Sequence, residues 1–145
     1  MQTLYTVGYQ GHSIESFLAL LVSHEISHVL DVRQLPISRK PGFAKNRLRQ
    51  HLAEVGIAYT HLVELGTPRH LRDEVRETKD YATFFAQMEA EISAQPQALD
   101  AALAAARQSR CVLLCFEANP AECHRTVVAH ALQRHTSDLL TIVDL

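Results

Sequence analysis

The stretch from Cys111 to Arg125, reading CVLLCFEANPAECHR, constrains this chain more than any other. Its first half, Cys111 to Phe116, is a short continuous apolar run, the pattern of a strand buried on both faces. Its second half reads as a helix start. Asn119 suits the N-cap, Pro120 the first helical position, and Glu122 stands three after the cap, as in a capping box. A strand that runs directly into a helix is half of a βαβ unit. At such turns open α/β sheets place ligands, and free amide N–H groups favour anions. Crowded into this one are Cys115, Glu117, Cys123, His124 and Arg125: thiols, a carboxylate, an imidazole and a guanidinium.

The remaining chain repeats the strand–helix alternation. Thr3 to Val7 reads as a strand, ended by Gly8 and a turn through His12 to the N-cap Ser13. Ile14 to about His24 places Ile14, Phe17, Leu18, Leu21 and Val22 on one helical face. His28 to Val32 is a second strand, followed by a Pro- and Arg-rich loop from Gln34 to Phe43. A basic helix runs from about Ala44 to Val55 and ends at Gly56, a C′ glycine. Ile57 to Leu62 gives a third strand, and Leu71 to Thr78 a short, charged, solvated helix. Two more helices are expected at about Asp80 to Ser93 and Gln97 to Ser109, and a last strand at Leu139 to Val143. Alternating strands and helices predict a single α/β domain with a mainly parallel sheet of about five strands, covered on both faces. In a parallel sheet all C-terminal strand ends share one edge. That edge therefore gathers Tyr9 and His12, Arg33 and Arg39, Glu64 and Arg69, and the Cys115–Arg125 cluster.

Composition narrows the function classes. With 47% hydrophobic and 21% charged residues in 145, the chain can bury a core of ordinary size. A net charge of -2 gives no global basic field for nucleic acid. The local balance differs: Arg33, Arg39, Lys40, Lys45, Arg47 and Arg49, six of the fourteen Lys and Arg, fall in one window without an acidic residue. Three cysteines without a signal-peptide pattern point to a reducing cytoplasm, and no run approaches the roughly 18 apolar residues of a membrane span.

Each reactive residue has a sharp and a plain reading. Cys115 is a candidate nucleophile activated by His124 or the helix start, or a buried core thiol. Asp31 and Arg33, two apart on a strand, share a face and are catalytic or orient each other. Glu117 and Glu64 form a general acid/base pair if both reach one cleft. Arg125 in a first helical turn opposes the helix dipole, so either an anion or a carboxylate such as Asp31 or Glu117 must compensate it. Tyr9 and His12 sit in a Gly-flanked turn as ligand contacts or surface residues, Arg39 as a phosphate contact, and Phe43 as a base-stacking candidate. Cys115, Cys123 and His124 do not follow a standard zinc spacing. A closed site would need a fourth ligand such as His12 or His61, so no metal or cofactor is assigned.

These residues also carry a family resemblance. Thr6-Val-Gly-Tyr-Gln-Gly-His-Ser13, Leu30-Asp-Val-Arg33 with Pro36, Ser38 and Arg39, and Gly56-Ile-Ala-Tyr-Thr-His-Leu62 form its first half. Glu64-Leu-Gly66 with Pro68, Asp80-Tyr81 with Phe84-Phe85, and Leu114-Cys-Phe-Glu117 followed by Cys123-His-Arg125 complete it. In this order they resemble the bacterial and archaeal "domain of unknown function 488" family, with Phe116 where members often have Tyr and Asn119 where they more often have Asp. The resemblance implies a compact Rossmann-like or flavodoxin-like α/β domain and no established reaction. Asp31-Val-Arg33 is also similar to the early Asp-x-Arg of rhodanese-like sulfurtransferases. No cysteine here opens their short anion loop, because Cys115 and Arg125 stand too far apart.

The expected function is an enzyme or ligand-binding domain acting on a phosphate-bearing substrate, a nucleotide or nucleic acid, at the C-terminal edge of the sheet. Asp31, Cys115, Glu117 and His124 would supply the chemistry; Tyr9, His12, Arg33, Arg39, Glu64 and Arg125 would bind the substrate. Two alternatives stand beside it: a non-catalytic nucleic-acid-binding module using residues 39–49, and a cysteine-based redox or sulfur-transfer protein. No membrane partner is expected.

Overall fold

The computed structural model describes residues 2–145. Five strands, β1 (Gln2–Gly8), β2 (His28–Asp31), β3 (Ala58–His61), β4 (Cys111–Cys115) and β5 (Leu140–Asp144), form one sheet. All pairings are parallel, in the order β3-β2-β4-β1-β5. Six helices connect them: α1 (Ile14–Ser23), α2 (Lys45–Glu54), α3 (Arg69–Thr78), α4 (Tyr81–Ser93), α5 (Pro96–Gln108) and α6 (Arg125–His135). No helix among the described residues is long and apolar enough to cross a membrane.

The central strand shows why both faces are covered. Side chains alternate along β4, so Cys111 and Leu113 enter one core and Val112 and Leu114 the other. On the first face Leu113 meets Leu4, Leu30 and the apolar sides of α4, α5 and α6, with Met88, Leu103 and Val128 fully or almost fully buried. On the second, Phe17 and Leu21 of α1 and Leu48 and Leu52 of α2 pack on Val7, Val29 and Leu114. Ser13 begins α1 as a capping box, in which Ser16 supplies the returning hydroxyl usually given by Glu or Gln. Gly56 follows α2 at φ +76°, as a C′ glycine does.

One sequence expectation changes, and the strand order refines another. Asn119 does cap, accepting from the Ala121 amide, but what it caps is a single 3-10 turn, Pro120–Glu122. The chain then passes through extended Cys123, and α6 begins only at Arg125. The strand order is also neither the 3-2-1-4-5-6 of Rossmann domains nor the 2-1-3-4-5 of flavodoxin. Here β4 lies between β1 and β2, which carries the densest apolar strand to the middle of the sheet.

This order positions the site. From β1 the chain leaves to α1 on one face; from the neighbouring β4 it leaves to α6 on the opposite face. The two loops diverge at the C-terminal edge, and a crevice opens where they part, the general ligand position of open α/β sheets.

Candidate active site

The loops at that edge are held by close backbone approach. A Cβ on Gly8 would fall 1.7 Å from the Glu117 carbonyl oxygen, so only glycine lets the β4 loop lie against the end of β1. The Tyr9 amide donates to the Cys115 carbonyl (3.1 Å), the Gln10 amide to that of Phe116 (2.8 Å), and the Ala118 amide to Gln10 Oε1 (3.0 Å). Gly66 makes a matching approach: a Cβ there would stand 2.5 Å from the Gln34 backbone, joining the loops after β2 and β3.

Cys115 ends β4 and is almost fully buried. Its Sγ lies 3.3 Å from His124 Nδ1 and 3.6 Å from Glu117 Oε2. The other ring nitrogen of His124, Nε2, is 2.7 Å from the Val32 carbonyl, which can only accept. Nε2 therefore carries a proton, and in the neutral ring Nδ1 is the acceptor facing the thiol. Moving the Cys115 proton to Nδ1 yields a thiolate beside an imidazolium, with the Val32 carbonyl fixing the ring. Burial pulls the His124 imidazole down, but the adjacent Cys123, the Val32 carbonyl and Glu117 outweigh it, and the net direction is up. Cys123 is fully buried behind the pair; burial first, then its contact with Cys115, push its thiol well above the usual range. The ligating atoms of Cys115, Cys123 and His124 all lie within 4.8 Å of one another.

Beside this cluster stands a framework of buried charge. Arg33 grips Asp31 through Nε (2.9 Å) and a terminal nitrogen (2.7 Å), and donates to the Phe43 carbonyl (2.8 Å). The Tyr59 hydroxyl also donates to Asp31, and the Arg33 guanidinium lies over the Tyr9 ring, 5.3 Å from its centre. Burial pulls Arg33 down, yet Asp31 more than restores it, so it stays charged. Asp31 is completely buried with both oxygens engaged, which makes it the partner that orients Arg33. Phe43, expected as a base-stacking residue, is completely buried against Tyr9 with ring centres 4.6 Å apart, and presents no free face.

Arg125 occupies a different place from the one expected. Its guanidinium is completely buried and donates to the Glu117 carbonyl, the Ala118 carbonyl (3.3 Å) and Thr6 Oγ1 (3.2 Å). Thr6 in turn donates to Asp144. The cation at the helix start is thus compensated by loop carbonyls, and it braces the β4 loop from below.

Above these residues opens a cleft of about 740 Å³. Cys115, Glu117 and His124 line its floor, with Tyr9 and Arg33 alongside. His12 is not part of it and pairs with Ser16 Oγ (3.0 Å); His61 is tied to the Arg33 carbonyl (2.6 Å). Glu64, exposed in the 3-10 turn Val63–Leu65, and exposed Arg39 lie outside it as well. The facing wall is α3, expected from the sequence as a solvated helix, with only Arg69 of its cations placed at this edge. Arg69, Arg72, Arg76 and Lys79 all border the cleft, and only Arg69 has an ion-pair partner there, Asp73 at 3.7 Å. Arg69, Arg72 and Arg76, three and four residues apart, form one helical stripe, a signal present in the sequence, and Lys79 follows at the left-handed C-cap (φ +59°). Leu35, Ile37 and Phe116, all substantially exposed, add an apolar border.

The family model for the domain of unknown function DUF488 matches residues 13–132. No curated protein and no solved structure gives a match.

Proposed function

Because the chain belongs to the domain of unknown function 488 family, its activity must be read from its own site, and we propose an enzyme acting on a phosphate-bearing substrate, a nucleotide or nucleic-acid segment. One observation carries this reading: the α3 cations face the Cys115–Glu117–His124 floor across a single cleft. Arginines without carboxylate partners are suited to phosphate, which they bind through paired N–H donors. Arg72, Arg76 and Lys79 would hold the anion, while Arg33, neutralised by its pairing with Asp31, would shape the crevice. The apolar border of Phe116, Leu35 and Ile37 would receive the uncharged part of the substrate.

The floor supplies reactive groups within reach of a bound phosphate. His124 serves as the base that takes the Cys115 proton, and Glu117, half-buried at the cleft, as a second proton carrier. The three thiols, all free, fit a reducing cytoplasm. The alternative surface at residues 39–49 borders no part of the cleft, so a module working through it would bind without the floor.

A thermal-shift panel of phosphate, mononucleotides and short RNA and DNA oligomers tests the reading. Stabilisation by one of these, lost in Arg72→Ala/Arg76→Ala and kept in Arg39→Ala/Arg47→Ala, is the expected result. Stabilisation lost only in the second pair would move the site to the basic surface; no stabilisation at all would remove the phosphate reading.

A further inference from the structure

We propose that Cys115, Cys123 and His124 form a binding site for one borderline-soft divalent cation, with zinc the best fit, whose fourth coordination position opens on the cleft. The inference is independent of phosphate binding by α3 but not of the proton transfer proposed above: with the ion bound, Cys115 Sγ and His124 Nδ1 are its ligands, and their acid–base pairing belongs to the metal-free protein.

The geometry is close to what such an ion requires. Zinc–sulfur and zinc–nitrogen bonds of about 2.3 and 2.0–2.1 Å set tetrahedral ligand edges at roughly 3.5–3.8 Å. Here the Cys115 Sγ to His124 Nδ1 edge is 3.3 Å, and no pair of the three ligating atoms exceeds 4.8 Å. The Cys115–His124 edge needs a shift of a few tenths of an ångström, and the widest pair a closure of no more than about 1 Å, to seat the ion. The ring nitrogen that would bind is already selected. Nε2 is committed to the Val32 carbonyl at 2.7 Å, which leaves Nδ1 with its lone pair toward the sulfurs. A ligating histidine that gives its other N–H to a backbone carbonyl is the usual support for a metal-bound imidazole.

Charge and access agree. Two thiolates and a neutral imidazole balance a divalent cation, so the buried site becomes neutral when filled; the two thiol protons leave to solvent on binding. Thiolate with imidazole selects zinc and related ions over magnesium or calcium. Cys123 is fully enclosed, whereas Cys115 and His124 border the cleft, so the unfilled position faces it. Three protein ligands with one open position are the pattern of a catalytic rather than a structural site. The sequence spacing conceals the set because Cys115 ends a strand, while Cys123 and His124 return after the 3-10 turn Pro120–Glu122.

The test uses the whole chain, reduced, stripped with a chelator, then dialysed against zinc, with cobalt as an optical substitute. The expected result is about one zinc per chain and a cobalt spectrum with thiolate charge-transfer bands. Cys123→Ser and His124→Asn should each weaken binding by about 100-fold or more. Cys111→Ser, at a buried thiol outside the set, should keep it, as should Arg72→Ala/Arg76→Ala, which separates this site from phosphate binding. Cys115→Ser, at the accessible edge, gives the same reading if Cys123→Ser does not fold. Reduced protein that takes up no stoichiometric metal would overturn the proposal. So would equal loss in Cys111→Ser and Cys123→Ser, or Cys115 and Cys123 simply joining as a disulfide in protein that binds no metal.

Discussion

Gly8 and Arg125 hold the same loop from opposite sides. Gly8 lets the Glu117 carbonyl approach where any Cβ would collide with it, and Arg125 donates to that same carbonyl. Gly8→Ala must push the β4 loop off β1, a forced backbone shift with no flexible neighbour to absorb it. We expect a loss of about 3 kcal/mol in urea unfolding, with an unchanged midpoint as the contrary outcome. Arg125→Ala should cost about 2–4 kcal/mol, because it removes the hydrogen bonds to the Glu117 and Ala118 carbonyls and to Thr6 and leaves a cavity where a fully buried side chain stood. If Arg125 served substrate instead, the variant would lose ligand affinity at unchanged stability. The sequence exposed the anomaly, a cation in a first helical turn, but not the loop carbonyls of Glu117 and Ala118 that receive it, nor Thr6, 119 positions away, that completes its contacts. Asp31 and Arg33 are the simpler case. Two strand residues on one face were legible as partners, and they are a bidentate pair.

At the scale of the element, α3 decides the character of the cleft. Counting charge along the chain drew attention to the acid-free window from Arg33 to Arg49, because the acids interspersed in α3 cancel its cations in a running sum. On the helix they separate only in part: Arg69, Arg72 and Arg76 form one stripe on the cleft with Lys79 at the C-cap, Asp73 borders the cleft beside them, and Glu74 and Glu77 lie elsewhere. Periodicity rather than composition was the readable signal. Arg72→Glu/Arg76→Glu should abolish ligand-induced stabilisation while moving intrinsic stability by no more than about 0.5 kcal/mol per position. A large stability loss in calorimetry would instead make α3 a structural strut. The start of α1 offers a cleaner energetic check. Ser13→Ala removes the hydroxyl that caps Ser16 and should cost about 1 kcal/mol in denaturant titration; no change would show the box to be solvent-compensated.

For the whole molecule, the alternation of short apolar runs with amphipathic segments disclosed five strands, a parallel sheet and helices on both faces. It did not disclose strand order, because local pattern says nothing about which strands pair. That order matters, since the insertion of β4 between β1 and β2 brings the Cys115 loop against the Gly8–Gln10 loop. Burial of ionisable groups in this core also makes a global prediction. Burial raises the Cys111 thiol from 9.0 to about 11, and raises Cys123 and, with help from Asp31, Tyr59. A raised folded-state value means the native chain holds its proton more tightly. Stability is therefore intact below pH about 9 and declines toward pH about 11, by about 3 kcal/mol from Cys111 alone. Urea midpoints across that range should fall, less steeply in Cys111→Ala; a flat profile would show these thiols to be equally protonated when unfolded.

If the α3 cations and the Cys115 floor serve one substrate, a ligand held by α3 must shield Cys115 from alkylation. In chelator-stripped, reduced protein, iodoacetamide should modify Cys115, which borders the cleft, ahead of the fully enclosed Cys111 and Cys123. A nucleotide or short oligomer that occupies the cleft should slow that modification about tenfold or more, and Arg72→Ala/Arg76→Ala should remove the protection by costing at least one charge-assisted hydrogen bond. Modification of Cys115 at the same rate with and without every phosphate-bearing ligand would show that none of them occupies the cleft.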